Sequence, residues 1–287
     1  MMFKRKVDDN KPWFVYNANL RTKTLVIIGV SSLFLLAILI SSMLIDTSAL
    51  STDFSQFNQF PSFEHIFGTD WMGRDMFTRT VAGLGLSMGV GAFASIISTA
   101  VAIILGLFSG VNRLLDEFVA GVIDLFSAIP HILLIILLSI SVGGGFYGVI
   151  IGVGLTHWTP LARILRAEVK QIQTTEFIKM AEQQGKSKLW IATKHMFPLV
   201  VSQIIVGVIL MFPHAIMHEA GITFLGFGLS PHEPAIGIIL AESMQYLSNG
   251  AWWLAFFPGL SLLIIVLLFD LIGEYVHMLL DPVEAQK

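Results

Sequence analysis

Stretches without a charged residue follow one another along the chain, separated by shorter polar segments. The charge-free stretches are residues 24–45, 80–112, 125–162, 199–217 and 253–269. Because a helix needs about 20 residues to cross the hydrocarbon core of a bilayer, four of them fit one span each. The stretch 125–162 is too long for one span, and the sequence SVGGGFYG within it favours a turn. The pattern predicts about six transmembrane helices, the third and fourth over residues 118–142 and 146–162.

The composition agrees with a membrane protein. Of the 287 residues, 55% are hydrophobic and 13% are charged, and the mean hydropathy is +0.77. A soluble domain carries about 25% charged residues, so this chain cannot cover a globule with solvated side chains and lipid must be its main solvent. The formal net charge of −3 gives no sign of nucleic-acid binding. The lack of cysteine excludes disulfides, thiolate catalysis and cysteine-ligated metals.

The distribution of lysine and arginine predicts the orientation. With the N-terminus inside and six spans alternating, only Arg74 and Arg79 of the 17 basic residues fall on the outer side. The positive-inside rule therefore predicts that both termini are cytoplasmic. The expected organisation is a cytoplasmic tail (1–23), a first transmembrane helix kept as an uncleaved anchor (24–45), an extracytoplasmic segment (46–79), a five-helix core (80–278) and a cytoplasmic tail (279–287). The core includes a cytoplasmic loop at 163–198.

The most polar part of this loop is the segment 176–198. Good helix formers over 168–184 predict an amphipathic helix, and Gly185 is expected to end it in the left-handed conformation. Ser187 is expected to cap a second short helix, which ends before Pro198 at the start of the fifth span. The segment therefore predicts two short helices joined by a bend at the cytoplasmic surface.

The pattern alone leaves two interpretations of this segment open. It is either an ordinary cytosolic loop or a docking element, whose exposed apolar residues need a soluble partner to cover them. The letters Gly-Lys-Ser at 185–187 do not indicate ATP binding. Met180 occupies the position of the first glycine of a Walker A loop, and no strand precedes it.

Several sequence blocks resemble a known family. Ala181, Gly185 and Pro198 have the spacing of the EAA loop of ATP-binding cassette importer permeases. Further similar blocks are FGTDWMGRDMFTR (67–79), EAGITFLGFGLSP (219–231), WWLAFFPG (252–259) and LLDP (279–282). In this order they resemble the second permease subunit of the dipeptide, oligopeptide and nickel branch over nearly the whole chain. The chain departs from the pattern at Lys179, Met180, Phe197 and Val283, where glutamate, alanine, leucine and arginine are usual.

The resemblance implies an all-α importer-type permease in the bacterial cytoplasmic membrane, multi-pass and without catalytic activity. The implied partners are a second homologous permease subunit in a heterodimer, two cytoplasmic ATP-binding cassette subunits, an extracytoplasmic substrate-binding protein and the lipid bilayer, but no nucleic acid. ATP and magnesium would bind to the ATPase subunits, and this chain would bind no cofactor or metal. The branch handles short peptides, nickel and metal-chelate complexes, so the resemblance does not choose among these substrates.

The resemblance also assigns the ATPase-coupling loop. Its residues would be Glu176, Ala181, Glu182, Gly185 and Pro198. Ala181 and Gly185 would be small because the ATPase surface approaches closely, and Gly185 would also set the bend. The lysine at position 179 would alter any salt bridge that the usual glutamate makes.

Histidines near the fifth span are candidates for contact with substrate. His214 and His218 are four residues apart and share one helical face. With Glu219 they could offer ligands to a metal or chelate in transit, or they could serve packing and interhelical hydrogen bonds. His131 and His157 are also histidines of the membrane region, and we expect them to be satisfied structurally rather than to act as ligands.

On the outer side, Asp70, Arg74 and Asp75 lie just before the second span. They could contact a binding protein, or they could cap and tie the start of the helix. Two other classes of function compete with the importer permease. An autonomous secondary transporter predicts inverted repeats and interrupted helices with buried charge, and no inverted repeat is evident. An intramembrane enzyme predicts a nucleophile with its base or a metal constellation, and neither is evident.

Overall fold

The computed structural model describes residues 20–46 and 50–280 of the chain. Its helices are α1 (Leu20–Leu44), α2 (Met76–Phe108), α3 (Arg113–Ala128), α4 (His131–Ser141), α5 (Gly145–Gly154), α6 (Trp158–Gln173), α7 (Glu176–Gln183), α8 (Lys188–Ile191), α9 (Phe197–Phe224), α10 (Ile236–Met244) and α11 (Trp253–Leu280). A π-helical turn, Ala192–Met196, joins α8 to α9. These described residues form no β-strand, only an isolated bridge between Thr69 and Asp75. The predicted all-α class is confirmed.

Five helical bodies in this part of the chain are long and apolar enough to cross a membrane. They are α1, α2, α5 with α6, α8 with α9, and α11. The pair α3 and α4 passes the same test together, although it is bent by 97° at its break. The prediction of about six spans is therefore confirmed when the bent pair counts as one. The predicted tails lie outside the described residues, except that α1 already begins at Leu20 and α11 ends at Leu280.

The prediction of one helix over 118–142 is wrong. The chain leaves the helical conformation at Ile129, whose φ of −90° and ψ of 135° are extended, and α4 begins after Pro130. Proline has no N–H to donate and its ring disfavours a helical residue before it. Residues 113–141 therefore form a broken span or a re-entrant helix pair, and the break brings His131 to the first position of α4.

The fifth span begins earlier and ends later than the predicted 199–217. It continues without interruption from α8 through the π-helical turn into α9, so a single helical body covers Lys188–Phe224. Pro198 lies inside this continuous body, directly after the π-helical turn, and it donates no N–H to the turn before it. The second short helix of the cytoplasmic segment is thus the beginning of the span itself.

Close packing joins α6 to α2. A Cβ added to Gly106 would lie 2.7 Å from the Cβ of Leu165, and one added to Gly110 would lie 2.6 Å from Cγ1 of Val169. Only glycine allows the two helices to approach this closely. Leu165 and Val169 belong to one hydrophobic cluster that also contains Ile178 of α7. The cytoplasmic segment is therefore built onto the α2–α6 pair.

Candidate functional site

The bend of the cytoplasmic segment has the predicted form. Gly185 has a φ of +77°. Its N–H donates to the carbonyl oxygen of Glu182 at 2.9 Å, and the N–H of Lys186 donates to that of Ala181 at 3.2 Å. This pair of bonds is a Schellman motif, which satisfies carbonyl groups that the end of α7 leaves free. The side chain of Ser187 accepts from the N–H of Trp190 at 3.3 Å and so caps α8, as predicted.

The inner face of α7 packs on the chain's own core. Ile178 and Ala181 are buried, and both belong to the hydrophobic cluster that α6 and α8 also line. Ala181 is only 6% exposed and packs against this cluster, whereas a close approach of an ATPase to this position stays a prediction. A Cβ on Gly185 would meet no atom within 4 Å, so its glycine is explained by the backbone conformation.

The face of this segment that points away from the core is an exposed apolar surface. We call the exposed side chains of Phe177, Met180, Leu189 and Trp190 the cytoplasmic patch. The ammonium group of Lys186 lies 5.1 Å from the ring centroid of Trp190, within the range of a cation–π contact. Apolar side chains collected at one exposed site are typical of interaction surfaces.

The charged residues of α7 are also exposed. Lys179, which replaces the family's glutamate, pairs with Glu176 at 2.9 Å, one turn earlier on the same helix. Glu182 is exposed as well. The charge at position 179 is thus balanced within α7 in this structure.

A charged cluster fixes α6 to the start of α3. Asp116 accepts from the side chain of Arg166 and, at 2.7 Å, from the ammonium group of Lys170. The side-chain amide of Gln173 donates to the carbonyl oxygen of Gly110. The sequence analysis does not single out Asp116. The one signal for its ion pairs is an acidic residue one turn after Asn112, on the side of the membrane predicted for the basic loop 163–198.

Three histidines meet inside the membrane region. His131 of α4, His157 at the start of α6 and His218 of α9 have ring centroids 4.4, 4.7 and 5.0 Å apart. The predicted grouping of His218 with His214 and Glu219 is not formed. His214 is exposed. The rings next to His218 are those of His131 and His157, for which the sequence predicts a structural role.

Glu219 lies on a different face of α9. Its side chain is 0% exposed, and one carboxylate oxygen accepts from the hydroxyl of Thr223 at 3.0 Å. That hydroxyl in turn accepts from the N–H of Leu229 at 3.1 Å. Glu219 is therefore connected through Thr223 to the turn that follows α9, and its part in the substrate pathway stays a prediction.

The outer acidic and basic residues form a tied network. Asp70, 1% exposed, accepts from Arg74 Nε at 2.7 Å and from Arg79 at 2.8 Å, and Arg79 also donates to Glu242 of α10 at 2.8 Å. Asp75 caps α2 by accepting from the N–H of Thr78 at 2.8 Å. These contacts are those of the capping and tying role, whereas contact with a binding protein stays a prediction.

The fold defines a class: an all-helical, multi-pass membrane protein whose described residues include a compact polar segment at 176–198. The chain belongs to the family of binding-protein-dependent transport system inner membrane components, whose model matches residues 98–282. It is therefore a non-catalytic inner-membrane component of a transport system.

The chain is similar to named permease subunits. It is 34% identical to the dipeptide transport system permease protein DppC of Alkalihalophilus pseudofirmus. The alignment of 274 residues covers 94% of this chain and 90% of that protein. It is 31% identical to DppC of Bacillus subtilis, with 87% and 78% covered. It is also 31% identical to the oligopeptide transport system permease protein OppC of Bacillus subtilis, with 77% and 73% covered.

Proposed function

We propose that this chain forms half of the translocation pathway of an ATP-driven importer, beside a second homologous permease subunit, and that the segment 176–198 couples it to a cytoplasmic ATPase. The observation that carries the coupling role is the two-sided packing of α7. Ile178 and Ala181 fix its inner face to the permease core, while the cytoplasmic patch on its outer side is uncovered. A partner that covers this patch would push directly on the membrane helices.

The route of that push follows from the contacts. Displacement of α7 acts on α6 through the shared hydrophobic cluster, and α6 is held to α2 at Gly106 and Gly110. Asp116 transmits the same displacement to α3 through its two basic partners. In addition, α8 continues into α9, so movement of the patch moves one end of a transmembrane span.

Each residue of the proposed coupling loop then has a part. Glu176 and Glu182 would contact the ATPase from the exposed side of α7. Ala181 would hold the helix to the core, Gly185 would set the bend, and Pro198 would begin the span that moves. ATP and magnesium would be bound by the ATPase subunits.

The substrate class is proposed from two sources. The similar proteins are named for dipeptide and oligopeptide transport, which supports short peptides as cargo. The histidine cluster supports nickel or a metal-chelate complex as an alternative cargo, because imidazole is a good ligand for such ions. On the outer side, the surface around Asp70, Arg74 and Asp75 would receive a substrate-binding protein, Arg74 being the partly accessible cation there.

The test is reconstitution of the chain with its partner permease, ATPase subunits and binding protein in liposomes. We expect uptake of di- to pentapeptides, or of free or chelated nickel, to require ATP. Combined Met180→Ser and Trp190→Ala changes are expected to abolish binding of the ATPase while leaving the fold intact. The matched control is Ile96→Ala, since Ile96 is an exposed apolar residue of α2 away from the patch. Uptake driven by an ion gradient in the chain alone would instead establish a secondary transporter.

A further inference from the structure

Three separate helical segments bring His131, His157 and His218 to one point. His131 follows the 97° break between α3 and α4, His157 lies in the break between α5 and α6, and His218 lies within α9. One ring nitrogen of each lies within 4.8 Å of those of the other two. Histidine side chains in a membrane region are costly and are usually functional.

The hydrogen bonds of His157 set the direction of its free lone pair. Its Nδ1 lies 3.0 Å from the carbonyl oxygen of Val153. A carbonyl only accepts, so Nδ1 carries the proton and Nε2 keeps its lone pair. A backbone acceptor behind a histidine ring is the usual arrangement that fixes a metal-binding tautomer. Nε2 of His131 lies 3.3 Å from both ring nitrogens of His157.

The spacing fits metal coordination. For a tetrahedral ion with metal–nitrogen bonds of about 2.0–2.1 Å, neighbouring ligand nitrogens lie about 3.3–3.4 Å apart. The His131–His157 pair already has this separation, and the third nitrogen lies within 4.8 Å of both. Within the described part of the chain His218 makes no hydrogen bond that would hold its ring away from the other two.

The kind of ion follows from the ligands. All three are imidazoles, which suit nickel, zinc, cobalt and copper, whereas magnesium and calcium prefer oxygen ligands. Three protein ligands also leave at least one coordination position open. Neither His214 nor Glu219 belongs to the group of residues whose ligand atoms all lie within 4.8 Å of one another.

We propose that His131, His157 and His218 form a three-imidazole site for a divalent transition-metal ion, with the open positions left to water or to a small chelator. The existence of the site does not depend on the importer assignment. Its use for cargo on the translocation pathway rests on the proposed function. The ion could arrive free or inside a chelate, since both present the same metal to the same nitrogens.

The first test measures binding to the full-length chain in nanodiscs, purified with a tag that contains no histidine. Equilibrium dialysis against Ni²⁺, Co²⁺ and Zn²⁺, followed by elemental analysis, is expected to give one bound ion per chain. His131→Gln, His157→Gln and His218→Gln should each weaken binding by at least the roughly 10–100-fold that loss of an outer-shell partner costs. The exposed His214→Gln is the control and should bind as the wild type does.

Two outcomes would overturn the site: no specifically bound ion in the wild type, or unchanged affinity in all three variants. X-ray absorption of bound Ni²⁺ on the wild type avoids any folding defect of the variants. It should show three imidazole ligands, and a spectrum with only oxygen ligands would contradict the proposal.

Transport separates this inference from the importer assignment. In the reconstituted complex, His157→Gln is expected to lower ATP-dependent uptake of nickel, whereas the exposed His214→Gln should leave uptake of both nickel and peptides unchanged. Parallel assays with the free ion and with a preformed nickel chelate identify the form that is carried. Peptide uptake without any metal binding would refute the site and leave the importer intact. Metal binding without any ATP-dependent uptake would refute the importer and leave the site.

Discussion

The guanidinium group of Arg79 lies 2.8 Å from the carboxylate of Asp70, and both side chains are almost completely buried on the outer side of the chain. The two residues belong to different parts of the fold, because Asp70 is in the extracytoplasmic segment and Arg79 is in the first turns of α2. Glu242 adds α10 to the same network through Arg79. This buried ion pair is therefore one of the contacts that hold the outer segment on the membrane helices, together with the hydrogen bond from Trp253 to the carbonyl oxygen of Thr69.

Replacing Asp70 by asparagine should strongly destabilise the chain, because it leaves the buried guanidinium of Arg79 without its main counter-charge. Removing one partner of a buried pair costs about 3–5 kcal/mol. The measurement is thermal or denaturant unfolding of the purified chain in detergent. Glu242→Gln is the matched control. Its carboxylate is 26% exposed, so we expect a loss of about 1 kcal/mol or less. Equal losses in the two variants would contradict a dominant role for Asp70.

Much of the fold could be predicted because a bilayer imposes a simple requirement on sequence. Charge-free stretches of sufficient length must be spans, and Gly185 and Ser187 are strong local signals for a helix end and a helix start. Length and apolarity alone do not reveal the break at Pro130, because the stretch 125–142 is uninterrupted by charge. A proline disfavours the helical conformation of the residue before it. Pro130 is therefore the sequence signal for a helix end at Ile129.

The sites could be predicted only where they are local in sequence. The segment 176–198 is contiguous, so its bend and cap follow from neighbouring residues. The histidine cluster joins positions 26 and 61 residues apart, and the spacing of His214 and His218 pointed to a different pair. Which rings meet depends on the two helix breaks and on how α9 is rotated, and neither is encoded in a short pattern.

Gly185→Ala should impair coupling through the backbone alone. Its φ of +77° costs a residue with a side chain about 1–2 kcal/mol, whereas a Cβ would collide with nothing in the chain. We expect weaker ATPase-driven transport with little change in global stability. Gly185→Asn should be less damaging, because asparagine tolerates this conformation better. The measurement is ATP-dependent uptake by the reconstituted complex, and equal defects in the two variants would point to a steric cause.

Ala181→Leu should distinguish the two faces of α7. The larger side chain would overpack the core cluster, and such changes cost about 1–3 kcal/mol. We expect a lower unfolding temperature for the isolated subunit. Met180→Ser, one position earlier on the exposed face, should leave that temperature unchanged and weaken binding of the ATPase. An Ala181→Leu chain with wild-type stability would show that this position does face a partner.

Asp116→Asn should separate ATP hydrolysis from transport. It weakens the contacts that join Arg166 and Lys170 of α6 to the start of α3. Because both basic side chains are partly exposed, we expect a stability loss of only about 1 kcal/mol. The expected result is more ATP hydrolysed per substrate carried. Asp124→Asn is the control, since Asp124 lies 3.9 Å from Arg163 and is largely exposed. If Asp116→Asn leaves the ratio of ATP hydrolysed to substrate carried unchanged, α3 does not transmit the displacement of α7.

Lys179→Glu restores the residue that is usual in the family and should nevertheless reduce coupling in this chain. It replaces the 2.9 Å ion pair with Glu176 by two negative charges one turn apart. On an exposed helix this costs only about 0.5 kcal/mol or less, so a large effect on ATPase-driven uptake must arise at the partner surface. The exchanged pair, Glu176→Lys with Lys179→Glu, keeps the net charge of α7 and should recover most of the uptake. If the exchange remains as defective as the single change, the ATPase recognises Lys179 individually rather than the balanced charge of the helix.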